Sequence, residues 1–185
     1  MINTYLTYLE EQPNELYLYH YTLASMKSIK RHGLLSIYGL YQKDPNEYKK
    51  AIDNYMPRIK AKLGDKDEYS IEEIERFFKL RGLDIRGIFC SFWEMIPGLH
   101  NGRDNFVKKA TLIRLSVNKL KTTWKYKLIN ANKVTDITYN DIKTYCNKDT
   151  LPYQKKKGGK FLFTNIPHLC IIPNDGIIPK TNLEI

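Results

Sequence analysis

Long apolar runs are missing from this chain. None approaches the roughly 20 residues of a membrane-spanning helix, so no membrane association is expected. Cysteine is scarce: Cys90, Cys146 and Cys170 are odd in number, widely spaced, and form no CxxC pair. That pattern argues against a zinc site and against a disulfide scaffold, so no metal is expected. A reducing, cytoplasmic setting suits it best. Residues 1–12 carry Glu10 and Glu11 and no basic stretch, so they do not read as a signal peptide. Repeats and long low-complexity linkers are also missing.

Acid is scarce in one block. Residues 101–165 hold 15 of the 30 Lys and Arg but only Asp104, Asp136, Asp141 and Asp149, a net of +11 against −1 for the remainder. One reading is a basic surface facing a nucleic acid, a nucleotide or an acidic protein. The other is a solubilising lysine-rich face. Lysine dominates over arginine there, and lysines act as phosphate point charges more than as base readers. Lys155, Lys156, Lys157 and Lys160 flank two glycines. They are expected to be exposed and are the candidate partner contacts.

What remains is ordinary for a globular domain: 185 residues, 42% hydrophobic and 27% charged, enough to bury one core. Residues 2–12 have helical apolar spacing ended by Pro13. A strand is predicted at residues 16–22. Leu23, Met26 and Ile29 then mark a helix ended by Gly33. Residues 37–86 read as a helical insertion or lid, with a helix at about 46–62 and a second opened by the capping box Ser70–Glu73. Strands are predicted at 88–93, 111–117, 126–130, 161–163 and 169–172, with a last one led by Gly176-Ile177-Ile178-Pro179. A short helix is predicted at 139–147. Lys155–Lys160 reads as an exposed turn. Pro173 is expected to restrict the strand before it to an edge or a short piece. Helices early and strands late make an α+β domain spanning 1–185, with a central mixed or antiparallel sheet.

The first strand carries the most information. Leu16, Leu18, His20 and Thr22 share one face, and Tyr17, Tyr19 and Tyr21 the other. A histidine and a threonine thus end an apolar face where a strand runs into a helix. Helix starts offer free backbone N–H groups, so such junctions often hold ligands. The plainer alternative is a core histidine with one hydrogen-bond partner.

The order Tyr19-His20-Tyr21-Thr22, then a helix, then Gly33-Leu34-Leu35-Ser36, resembles the opening of the ADP-ribosyltransferase fold. That fold is shared by DarT-like DNA ADP-ribosyltransferases, RNA 2′-phosphotransferases and small phage transferases. Gly87–Ser91 is similar to the second strand of these proteins, Leu115–Leu120 to the third, and Ile177-Ile178-Pro179 to the opening of the last. The resemblance implies NAD as substrate and transfer of ADP-ribose to a nucleic acid or protein, in a phage or other mobile-element setting. It implies that His20 holds a ribose hydroxyl with Thr22 beside it, that Ser91, Phe92 or Trp93 lies by the nicotinamide, and that Tyr38 and Tyr41 cover the pocket.

The sequence departs from that pattern at the catalytic acid. The family carries a late-strand glutamate, yet no glutamate stands between Lys160 and Leu183. The candidates are His168, Glu94 and Glu184, in that order, with a frayed end expected at Glu184. Asp175 reads as a turn former in Asn174-Asp175-Gly176. Another possibility is a glutamate-free phosphate chemistry, for which His20, Arg31, His32, Arg86 and His168 are the available groups. A third is a degenerate domain that binds a nucleotide, nucleic acid or protein and acts as an inhibitor.

Overall fold

The computed structural model describes residues 15–92, 94, 109–130, 133–146, 153–155, 161–163 and 167–185. Strand β1 (Tyr17–Thr22) leads into helix α1 (Met26–His32), strand β2 (Leu34–Leu35) and helix α2 (Ile37–Lys43). Helices α3 (Pro45–Leu63) and α4 (Ile71–Lys79) follow. Then come β3 (Ile88–Ser91), β4 (Thr111–Ser116), β5 (Lys125–Asn130), β6 (Lys133–Ile137) and helix α5 (Tyr139–Tyr145). The last strands are β7 (Tyr153–Lys155), β8 (Phe161–Phe163), β9 (His168–Ile172), β10 (Ile177–Ile178) and β11 (Leu183–Glu184).

The main sheet has seven strands in the order β11-β4-β1-β3-β9-β5-β6. Every pairing in it is antiparallel, which settles the choice between a mixed and an antiparallel sheet. β1 is an interior strand, as is β9, so Pro173 does not push β9 to an edge. The ladder stops at Ile172, one residue before the missing N–H would cost a bond.

Alternation along β1 puts residues on two covered faces. Leu18 is 0% exposed and Tyr19 is 5% exposed, so neither face meets bulk water. On the Leu18 face, Ile113, Leu115, Cys90, Leu169 and Ile171 pack with Ile29 of α1 and Ile142 of α5. On the Tyr19 face lie α3 and α4, whose own core joins Ile52 and Ile59 to Ile74, Phe77 and Phe78. The α+β domain is therefore a sheet between helices.

The helix starts follow local chemistry. Ser25, Ser36, Asp44, Ser70 and Thr138 each cap a helix by accepting from a backbone N–H. The Ser70–Glu73 capping box forms as the sequence predicts. Helix α3 runs through Pro57. An interior proline costs a helix about 3 kcal/mol, and burial of Ile52 and Ile59 on either side of it offsets that cost. Gly33 takes φ +85° at the end of α1, and β2 turns back from it to pair with β10. At Asp175 the side chain accepts the Ile177 N–H, so the turn role is filled.

Among the elements sequence patterning did not find are β6, β7 and β11. Lys155 lies in β7, paired with Phe161, and not in a turn. The predicted helix at 2–12 and residues 156–160 lie outside the described residues.

Candidate functional site

β1 pairs with β4 over six residue pairs, Tyr17↔Ser116 to Thr22↔Thr111. Its pairing with β3 consists of Tyr19↔Ser91. Past that point the two strands part, and the Phe89 carbonyl on β3 loses its ladder partner. His20 takes its place: the Nδ1 atom lies 2.8 Å from the Phe89 carbonyl oxygen. A carbonyl can only accept, so Nδ1 carries the proton and Nε2 is left as an acceptor. Burial lowers the His20 pKa from its ordinary value of 6.5, opposed by the Phe89 carbonyl. The ring is therefore neutral at pH 7 in one fixed tautomer.

Two cavities meet at this split. The larger, about 750 Å³, is lined by His20 and Thr22 with Ser28, Leu34, Ser36 and Gly87. It also takes in Glu47, Lys50, Asp53 and Asn54 from α3. The smaller, about 430 Å³, lies on the Tyr19 face and takes in Ser91, His168, Phe78, Arg81 and Leu83. His20, Tyr21, Tyr55, Arg58 and Phe89 line both.

Thr22 sits on the cavity wall, and its Oγ1 accepts the Ala24 N–H at 3.0 Å. That bond occupies one of the free amides expected at the strand–helix junction. The Ser28 N–H is likewise taken by the Ser25 hydroxyl, so two of the junction's amides have partners within the fold. Ser28 itself donates to Asp44 at 2.6 Å, tying α1 to the start of α3. The Asp44 carboxyl is held below the usual carboxylate range by that hydrogen bond.

The other sequence candidates separate by face. Ser91 and His168 are cross-strand partners and line the smaller cavity together. Phe92 turns into the core on the Leu18 face, 2% exposed, with its ring 5.4 Å from that of Tyr145. It therefore does not stand with Ser91 as a wall residue. Tyr38 packs into the core of α3 and α4, and Tyr41 is 47% exposed against Tyr48, so neither takes the covering position. Trp93 lies outside the described residues.

The three acid candidates do not converge. His168, Ser91, Tyr19, Arg114 and Glu184 form one cross-strand row over β9, β3, β1, β4 and β11. Four strand spacings put Glu184 roughly 19 Å from His168. Glu184 is not frayed: it is paired in β11 and its carboxylate accepts the Tyr17 hydroxyl at 2.9 Å. That bond pushes the Tyr17 phenol up to about 12. Glu94 lies 3.9 Å from Arg114. Neither glutamate lines either cavity.

Two acids do line the His20 cavity, the buried Glu47 and the exposed Asp53, and sequence reasoning missed both. The buried one, Glu47, is the candidate. It is 8% exposed and its carboxylate accepts from Lys50 at 3.1 Å. A signal was present in Asp44-Pro45-Asn46-Glu47, an N-cap acid followed three residues later by glutamate. Arg58 and Arg81 were missed as well, because nothing local marks a helix arginine that faces a cleft.

The basic block is partly committed to local partners. Lys127 pairs with Asp136 at 2.9 Å, and Lys121 sits over the Trp124 ring. Lys156, Lys157 and Lys160 lie outside the described residues. Among the described residues no group of His, Cys, Asp and Glu is arranged to hold a metal, and no helix is long and apolar enough to cross a membrane. No protein-family model, curated protein or solved structure matches the chain.

Proposed function

We propose that the cleft at the split between β1 and β3 binds NAD as substrate, and that the protein transfers ADP-ribose to a nucleic acid or protein acceptor. On this reading the domain has an ADP-ribosyltransferase-like fold. The observation that carries it is the His20 ring. Neutral, fixed by the Phe89 carbonyl and presenting Nε2 as an acceptor, it suits a ribose hydroxyl, which must donate.

The reaction breaks the bond between the ribose anomeric carbon and the nicotinamide nitrogen. Nicotinamide leaves with the bonding pair, and an acceptor nucleophile bonds to the same carbon and loses a proton. Positive charge develops on the ribose, so a carboxylate aimed at it lowers the barrier. Glu47 supports this role better than Glu94 or Glu184, because it is buried and lines the same cavity as His20. His168 stands on the other side of the split, and an imidazole supplies no negative charge.

A second reading keeps the binding site and drops the transfer: a degenerate domain that holds a nucleotide and acts as an inhibitor. It is favoured by the placement of Glu94 and Glu184 away from both cavities.

Incubation with labelled NAD and candidate acceptors tests the two. Label transfer that falls about 100-fold or more in Glu47→Gln, with NAD affinity retained, supports the transferase. NAD binding without nicotinamide release under any acceptor supports the binder. No NAD binding at millimolar ligand overturns both.

A further inference from the structure

We infer that the outer edge of β6 docks an extended, acidic peptide segment of a partner protein by strand addition. The edge lies four strand spacings from β1, roughly 19 Å, so this reading stands apart from the NAD reading above.

The two ends of the seven-stranded sheet are built differently. β11 closes one end with two residues. β6 closes the other with five, paired with β5 in an unbroken antiparallel register from Asn130↔Lys133 to Tyr126↔Ile137. No proline, glycine or bulge interrupts it, and Val134, Thr135 and Ile137 are strand-forming residues. Alternate backbone N–H and C=O groups of such a strand point away from its neighbour. Among the described residues no strand pairs with that outer side. Proteins blunt an exposed edge by shortening it, as at β11, or by a bulge or a proline. β6 uses none of these, and an extended peptide supplies the matching donors and acceptors.

What β6 carries instead is charge, and its sign selects the partner. From Lys119 to Thr135 the chain holds five lysines and no acid. The carboxylates beside the edge are already engaged, Asp136 with Lys127 at 2.9 Å and Asp84 with Arg86 at 2.9 Å. Lys125 and Lys133 are exposed and make no ion pair among the described residues. An acidic strand is therefore drawn in and a basic one repelled. A cavity of about 550 Å³ at the Ile137 end, lined by Leu83, Lys125, Lys127, Asp136 and Ile137, gives room for one side chain of that strand. In strand addition the backbone gives affinity and such a pocket gives selectivity. Area favours a peptide over a second copy of this chain. Five edge residues fall far short of the roughly 20–30 residues a side that a stable interface uses.

The test titrates short capped peptides into the nitrogen-labelled full chain. The probe alternates glutamate with valine, and a control alternates lysine with valine. Amide NMR and hydrogen exchange locate the contact. The expected result is that the glutamate peptide shifts and protects amides of Lys133–Ile137, while those of β1 stay unmoved. Lys125→Glu combined with Lys133→Glu weakens that binding about tenfold. Both lysines are exposed, so the melting temperature of the variant stays that of the wild type. A proline at the centre of the peptide abolishes binding, because it removes a ladder N–H. The inference is overturned if no β6 amide responds at millimolar peptide, if the lysine peptide binds as well, or if the proline peptide does. It is equally overturned if sedimentation shows a dimer whose β6 amides are protected before any peptide is added, which would give the edge to a second copy.

Discussion

Replacing His20 separates its two bonds, one inside the fold and one toward the ligand. In His20→Ala the Phe89 carbonyl loses its 2.8 Å donor. A neutral hydrogen bond of this kind is worth about 1 kcal/mol net. The side chain borders a cavity on both sides of the split, so truncation leaves space that water can fill, and the large penalty of a dry void does not apply. The expected loss is about 1–2 kcal/mol, which for a domain of this size lowers Tm by about 3–6 °C. The Nε2 acceptor goes with the ring, and NAD affinity should fall by about 1–3 kcal/mol, roughly 5- to 150-fold. His20→Phe keeps the ring volume and removes both nitrogens, so it should lose the same affinity. Thermal melts and calorimetric NAD titrations read the two effects. Wild-type affinity in both variants would refute the assignment of Nε2 as a ligand acceptor.

Three further outcomes follow from the same geometry. Because burial lowers the His20 pKa, the unfolded chain takes up a proton that the folded one resists, so the contribution of this residue is full above pH 6.5 and is lost as pH falls below it. A stability–pH profile of the wild type against His20→Phe should therefore converge toward low pH; parallel curves would contradict the shift. Gly33→Ala forces a side chain into φ +85° and drives its Cβ against the Ile178 carbonyl, so chemical denaturation should show a loss of about 2–4 kcal/mol. An unchanged midpoint would show that the β2–β10 ladder is not fixed as described. The double variant Glu94→Gln with Glu184→Gln should keep NAD affinity within about twofold, since a surface pair such as Glu94–Arg114 is worth little. If it loses a robust transferase activity while staying folded, Glu47 is not the acting carboxylate.

The start of α4, the Gly33 stop and the longer strands were legible because each is written in a local signal: a capping box, a positive-φ glycine, or alternation over five or six residues. The short helix α2 after Ser36 was not found. The strands that escaped are those whose alternation is masked. β6 carries Lys133, Thr135 and Asp136 on an edge, where only one face is packed. β11 is two residues long and owes its place to β4. The site was half legible. His20 and Thr22 stand out because polar residues interrupt an apolar face, whereas Phe92 could not be separated from Ser91 without knowing which face was open. Glu47, Arg58 and Arg81 reach the cleft only through the packing of α3 and α4 on the sheet, and that is a tertiary fact. The predicted fraying of Glu184 failed for a similar reason. Its neighbour across the sheet, Arg114, is 70 residues away in the chain.

Histidine NMR on nitrogen-labelled protein tests the central claim most directly. It reports which ring nitrogen of His20 carries the proton and whether NAD touches the other. The account predicts a neutral ring at pH 7 with the proton on Nδ1, and an Nε2 resonance that shifts on titration with NAD. A charged ring, a proton on Nε2, or an Nε2 resonance unmoved by millimolar NAD would contradict it.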